Sequence, residues 1–206
     1  MQQKADDPNG MVPDESPVAL LLIDVINDLE FEGADRLLRH VPAMAERLSD
    51  LKRRAKRAGI PVVYVNDNYG RWQSDLNKLI ERCLRDGVRG RQLVEALRPD
   101  EDDYFVIKPK HSGFFSTNLE VLLEHLSART LILTGIAGNI CVLFTANDAY
   151  MRDLKLLVPS DCCASNESED NDYALSLMRN ILKADTRPST ELDLEQILSE
   201  ARQDTR

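Results

Sequence analysis

Three side chains of this 206-residue chain have the types needed for nucleophilic and acid–base chemistry, and each stands where a short apolar run stops. Asp24 closes VALLLID (Val18 to Asp24), and Lys108 closes YFVIK (Tyr104 to Lys108). Cys141 lies just beyond TLILTGI (Thr130 to Ile136), near the expected start of a helix. A thiol becomes a strong nucleophile once it loses its proton. A carboxylate can take that proton and return it to a leaving group, and an ammonium favours the anion that forms. The start of a helix adds unpaired N–H groups and partial positive charge, which stabilise a thiolate and can hold an oxyanion. Gly135 and Gly138 bracket the turn before Cys141 and leave room for close backbone approach to a ligand. Taken alone, each residue has a plainer role. An Asp after a strand commonly caps a turn, a Lys is commonly solvated, and a Cys commonly packs as a small apolar residue. The case for chemistry is the presence of all three at strand ends.

The surrounding pattern supplies those strands. Strands are expected at Val18 to Asp24, Ile60 to Asn66 (with Pro61 at its start), Tyr104 to Lys108, Thr130 to Ile136 and Leu154 to Ser160, with a short one near Ala184 to Thr186. Leu37, Leu38, Val41, Met44, Leu48 and Leu51 recur at helical spacing and predict one helix over Ala34 to Ala58, stopped by Gly59. Further helices are expected over Arg91 to Leu97, Leu119 to Leu126, Asn139 to Met151, Asp172 to Leu182 and Leu192 to Ala201. The stretch from Asp67 to Gly90 reads as loop with short helix, a long insertion of the kind that builds a pocket or a subunit contact. Apolar strands without alternation are buried on both faces. Repeated βα units of this kind give a three-layer α/β/α, doubly wound, Rossmann-like parallel sheet, with ligands bound at the carboxyl ends of its strands. No internal repeat or linker divides the chain, so residues 17–206 are expected to form one domain after a loose tail, 1–16.

Composition narrows the partners. A formal net charge of −9 argues against nucleic acid and against anionic membrane surfaces, leaving a small-molecule substrate. The apolar runs have strand length, too short to cross a bilayer, and MQQKADDPNGMVPDES has no apolar core of a secretory signal. The four cysteines, Cys83, Cys141, Cys162 and Cys163, make no CxxC pair, so reduced thiols and a cytoplasmic location are expected. The turn after Asp24 reads VINDLEF, without the GxGxxG of a dinucleotide site, and no cofactor is expected.

Three segments, ALLLIDVINDLEF, VIKPKHSGFFSTNL and TGIAGNICVLFTANDAYMRDLKLLVPSDCCAS, resemble in order the isochorismatase-like cysteine hydrolase superfamily, which includes nicotinamidases, N-carbamoylsarcosine amidases and isochorismatases. The resemblance runs from about Val18 to Lys183. It implies a six-stranded sheet in the order 3-2-1-4-5-6 and a triad of Asp24, Lys108 and Cys141. It also implies oxyanion donors at the backbone N–H groups of Ala137 and Cys141, a cis peptide at Ile136–Ala137, a structural cap at Asp161 and a homo-oligomer. Lys110 competes with Lys108 for the lysine role, and His111 leaves a Cys–His pair open.

Two departures bear on substrate. Where zinc-dependent members carry Asp-x-His, this chain reads Asp67-Asn68-Tyr69, so no catalytic metal is expected. Where members carry QNDF, it reads Ile26-Asn27-Asp28-Leu29, which puts an apolar residue in place of a pocket Gln. Leu29, Asp67, Tyr69, Trp72 and Phe114 are the expected pocket residues, with Arg71 a possible partner for a carboxylate. The implied activity is hydrolysis of a C–N bond in a small amide or carbamoyl compound through a thioester on Cys141. The alternatives are cleavage of a vinyl ether with Asp24 as acid, and a non-catalytic binding or assembly role.

Overall fold

A computed structural model of the chain describes residues 15–68 and 75–204. A six-stranded parallel sheet forms its centre, with strands β1 (Val18–Ile23), β2 (Val62–Asp67), β3 (Tyr104–Lys108), β4 (Thr130–Ile136), β5 (Lys155–Leu157) and β6 (Cys163–Ala164). All six residues of β1 are fully buried, and their side chains divide between two cores. Val18, Leu20 and Leu22 pack with helices α2 (Val41–Arg57), α3 (Leu76–Cys83), α4 (Arg91–Ala96) and α8 (Leu194–Asp204). Ala19, Leu21 and Ile23 pack with α5 (Leu119–His125), α6 (Leu143–Tyr150) and α7 (Ser168–Asn180). The period-2 alternation of a strand therefore feeds both faces, which is why the apolar runs show no polar positions.

The order β3-β2-β1-β4-β5 agrees with the expectation, but the sixth strand does not. β6 pairs with β4 at Gly135 and Ile136, while β5 pairs with the start of β4 at Thr130 to Ile132. The two are pieces of one lane beside β4, separated by a 3₁₀ turn at Ser160–Cys162. The expected strand Leu154 to Ser160 stops early because Pro159 brings no N–H to a ladder. The outer position expected for a sixth strand holds only a bridge between Leu157 and Asp185, with Val158 N donating to Asp185 O at 2.7 Å and Asp185 N to Leu156 O at 2.9 Å.

The expected helix over Ala34 to Ala58 is also divided, into α1 (Ala34–Leu37) and α2. Pro42 is the cause. It is tolerated in the first turn of α2, but its ring would clash with the carbonyl four residues back if the helix ran through. Buried α2 residues Val41, Met44, Ala45, Leu48, Leu51 and Ala55 follow the predicted face. Among the described residues no helix is long and apolar enough to cross a membrane. The expected tail, 1–16, lies mostly outside the described residues. Ser16 is ordered against α5, its N–H donating to Leu126 O at 2.9 Å.

Gly135 and Gly138, read above as openings toward a ligand, are instead filled by the chain itself. A Cβ on Gly135 (φ 113°) would lie 2.1 Å from Ile23 O, and one on Gly138 would lie 2.1 Å from Asn171 Oδ1. β1 and β4 approach each other too closely at their carboxyl ends for any side chain. Gly135→Ala is expected to cost more than about 3 kcal/mol, because two central strands must separate. Gly59→Ala (φ 75°, with open space around it) should cost only about 1–2 kcal/mol. Urea midpoints test this, and equal losses would contradict it.

Candidate active site

The carboxyl ends of β1, β3 and β4 bring Asp24, Lys108 and Cys141 together. Asp24 is the first residue past β1, in the left-handed conformation (φ 54°), so the chain turns away from the sheet there. Its N–H still donates to Val65 O at 2.9 Å, and its Oδ1 accepts from Asp67 N at 2.7 Å. The side chain thus satisfies an amide of β2 that β1 no longer reaches.

Lys108 ends β3, two lanes away, in register with Asp67. Its side chain runs past the end of β2, and its Nζ lies 2.8 Å from Asp24 Oδ2. The same Nζ is 3.7 Å from Asp67 Oδ2 and 3.6 Å from Cys141 Sγ, and it donates to Lys110 O at 3.1 Å. Lys110 itself is exposed and offers the site only its carbonyl, so Lys108 supplies the ammonium. Lys108 has 0% exposure and Asp24 6%, which makes this a buried ion pair.

Cys141 does not sit at the start of an α-helix as expected. It lies within a single π-helical turn, Gly138–Val142, that leads into α6. The Ala137 carbonyl accepts from Ile140 N at 3.1 Å and from Val142 N at 3.2 Å, on either side of Cys141. The peptide before Ala137 is cis, the geometry the resemblance implied. The turn is held from behind by Ser165, whose Oγ accepts from Asn139 N at 3.1 Å. Gly138 and Cys141 thereby take positions set by α7 and β6 rather than by their own helix.

Electrostatics overturn one expectation. The thiol of Cys141 is pushed up to about 12, first by burial and then by the negative charge of Asp24, against which Lys108 is insufficient. No free thiolate is poised at neutral pH. Burial also raises Asp24 above the ordinary carboxylate range, and Lys108's charge offsets only part of that. For Lys108, burial works against the charge, but Asp24, the Cys141 sulfur and Asp67 together outweigh it and hold the ammonium above its usual value. Asp24 and the Cys141 thiol thus each hold a proton more firmly than in water, and the two are in hydrogen-bonding contact.

The expected pocket residues divide. Asp67 is partly exposed beside Lys108. Leu29 is fully buried in the core on the α2 side, because its left-handed backbone (φ 53°) and the Leu29 N to Asn27 Oδ1 bond (2.8 Å) turn it inward; it is a packing residue. Phe114 is likewise a core residue on the other side, with the Arg152 guanidinium 4.6 Å from its ring centre. Tyr69 and Trp72, with Arg71, lie outside the described residues. His111, weighed above only as an alternative, has its Nδ1 3.9 Å from Cys141 Sγ. Thr145 was not foreseen. Its buried hydroxyl donates to Cys141 O at 2.7 Å and accepts from Gly113 N at 3.0 Å, tying the loop after Lys108 to the helix after Cys141. A Thr four residues after a candidate nucleophile was the available signal.

Cys162 and Cys163 are buried, as their packed reading expected, and Asp161 accepts from Ser189 N at 2.6 Å and Ser189 Oγ at 2.9 Å. Among the described residues the only gathering of possible metal ligands is Asp100, Asp102 and Asp103, which Lys52 and Lys56 neutralise away from Asp24, Lys108 and Cys141.

The charges make an unusual prediction for Asp24→Asn. Removing the Asp24 charge leaves burial alone opposing Lys108 at the sulfur, so the thiol's pKa falls from about 12. Alkylation of Cys141 by iodoacetamide at neutral pH, followed by intact mass, should be several-fold faster in Asp24→Asn than in the wild type. Slower alkylation would contradict the assigned electrostatics.

Residues 18–186 match the model of the isochorismatase domain. The chain is 45% identical over 167 residues to YaaI of Bacillus subtilis, an uncharacterized isochorismatase family protein, covering 81% of this chain and 91% of that one. It is 29% identical over 179 residues to the ureidoacrylate amidohydrolase RutB of Methylorubrum extorquens, covering 75% and 72%. Its fold superposes on the crystal structure of N-carbamoylsarcosine amidase from Thermoplasma acidophilum with a TM-score of 0.65 at 27% identity, covering 85% of this chain and 98% of that one. With the parallel sheet and the strand-end cluster already described, these matches show that the chain belongs to the isochorismatase family of hydrolases.

Proposed function

We propose that the chain is a cysteine hydrolase that cleaves a C–N bond of a small amide or carbamoyl compound, with Asp24, Lys108 and Cys141 as its triad. The observation that carries this reading is the convergence of the Cys141 sulfur, the Lys108 ammonium at 3.6 Å and the Asp24 carboxylate, itself 2.8 Å from that ammonium. The carbamoyl and amide substrates named for RutB and for N-carbamoylsarcosine amidase support the substrate class.

Because the thiol rests protonated, the nucleophile is made during attack. Asp24 takes the thiol proton as Cys141 Sγ bonds the carbonyl carbon, and Lys108 stabilises the charge at sulfur. The carbonyl oxygen becomes an oxyanion facing the Ala137 and Cys141 N–H groups at the π turn. Collapse breaks the C–N bond, the amine or ammonia leaves with the proton held by Asp24, and a thioester remains on Cys141 for water to resolve. A raised pKa suits Asp24 to both halves of this exchange.

That same raised pKa favours a second reading, in which Asp24 acts as the acid that protonates a vinyl ether and Cys141 is a bystander. Two variants separate them. Under the amidase reading, Cys141→Ser lowers kcat by about a thousandfold or more on an amide substrate found by library screening, with the fold unchanged by circular dichroism. Under the vinyl-ether reading, Cys141→Ser retains turnover of isochorismate while Asp24→Asn abolishes it. Full amide hydrolysis by Cys141→Ser would end the first reading.

A further inference from the structure

The reacting sulfur lies between two kinds of environment. On one side are Asp24 and Lys108, almost without exposure, with both Asp24 oxygens engaged, Oδ1 by Asp67 N and Oδ2 by Lys108. Also beside the sulfur is His111, which is exposed, with Nδ1 3.9 Å from the sulfur. Its ring leans on Phe144 at a centroid distance of 5.5 Å and an angle of 59°.

The loop that carries His111 is fixed on both flanks. Before it, Lys110 O accepts from Lys108 Nζ at 3.1 Å. After it, Ser112 Oγ donates to the Asp148 carboxylate, and Gly113 N donates to Thr145 Oγ1 at 3.0 Å. Thr145 and Asp148 belong to α6, the helix that continues from the Cys141 turn, and Phe144 is its second residue. The helix that follows the nucleophile thus holds the imidazole in place by two hydrogen-bonded anchors and one ring contact.

Hydrolysis of a thioester needs a base for water and an acid for the departing sulfur, and water reaches this site from the exposed side. We propose that His111 serves as both in the second half of the reaction, an inference that rests on the reading of Cys141 as the nucleophile. His111 accepts a proton from water as the water oxygen bonds the thioester carbonyl carbon. The tetrahedral intermediate collapses, the C–S bond breaks and its electron pair returns to sulfur. The imidazolium then gives its proton to the sulfur, restoring the thiol and the neutral imidazole, and the acid product leaves. Water and thioester are consumed, acid and thiol are formed, and no other reactant is required. Asp24 handles the proton of the first half from the buried side, and His111 that of the second half from the exposed side.

The test is the acylation burst with p-nitrophenyl acetate, an activated ester that acetylates a reactive thiol. His111 is exposed, so His111→Ala leaves the core intact. In His111→Ala the burst should stay near one nitrophenolate per site while the steady-state rate falls by about a hundredfold or more. The acetyl adduct should then persist on Cys141 by intact mass, and added imidazole should restore turnover. A parallel loss of burst and turnover, an unchanged steady-state rate, or no accumulated adduct overturns the role of His111 and leaves Cys141 as nucleophile. A burst that survives Cys141→Ser, or no burst from the wild type, overturns the nucleophile reading and this inference with it.

Discussion

The site depends on a buried ammonium held against a buried carboxylate. Lys108 Nζ and Asp24 Oδ2 are 2.8 Å apart, and neither residue has more than 6% exposure. Removing two charges from water is expensive, and their mutual attraction repays it only when the geometry is good and the remaining polar atoms are satisfied. Here they are satisfied. Asp24 Oδ1 takes the Asp67 amide, and Lys108 donates also to Lys110 O. Loss of either partner would strand a buried charge, a change that typically costs about 3–5 kcal/mol. β2 stands between the two bearers, and its end supplies the amide and the carboxylate of Asp67 that line the gap.

The same pair determines how the thiol is used. A buried sulfur beside a carboxylate is harder to ionise than free cysteine, and the nearby ammonium does not reverse this. In the proposed mechanism the thiol loses its proton as it bonds the substrate carbonyl. A protonated thiol is slower to react with stray electrophiles and oxidants than a thiolate. On that proposal the carboxylate beside the sulfur is the base that a preformed thiolate would not need.

Much of this was legible in the sequence. β3 and β4 have the boundaries that their apolar runs predicted, and in β4 burial on both faces leaves no ambiguity of phase. Strand ends pointed to Asp24, Lys108 and Cys141, since a parallel sheet gathers them at one edge, but the reach of Lys108 across two lanes came only from the family resemblance, and the structure shows the contact. Other features needed the third dimension. The break before α2 came from one proline, and the short β5 from another. The sixth lane carried too few apolar residues to mark its extent, and it amounts to little more than the bridge at Asp185. Leu29 was misplaced because its positive φ cannot be read from its side chain. The sign of the Cys141 shift was wrong because charge at a helix start is visible in sequence, whereas desolvation is not. The Thr145 clasp was missed because it joins residues thirty-two apart through one buried hydroxyl.

Ultraviolet thiolate absorbance as a function of pH, taken as the difference between the wild type and Cys141→Ser, examines the central claim directly. The account predicts no Cys141 thiolate signal at neutral pH and a single rise at strongly alkaline pH, near the value of about 12 that burial and Asp24 impose. A full thiolate signal at neutral pH, lost only on acidification, would show that the sulfur rests ionised and that Asp24 is not its base.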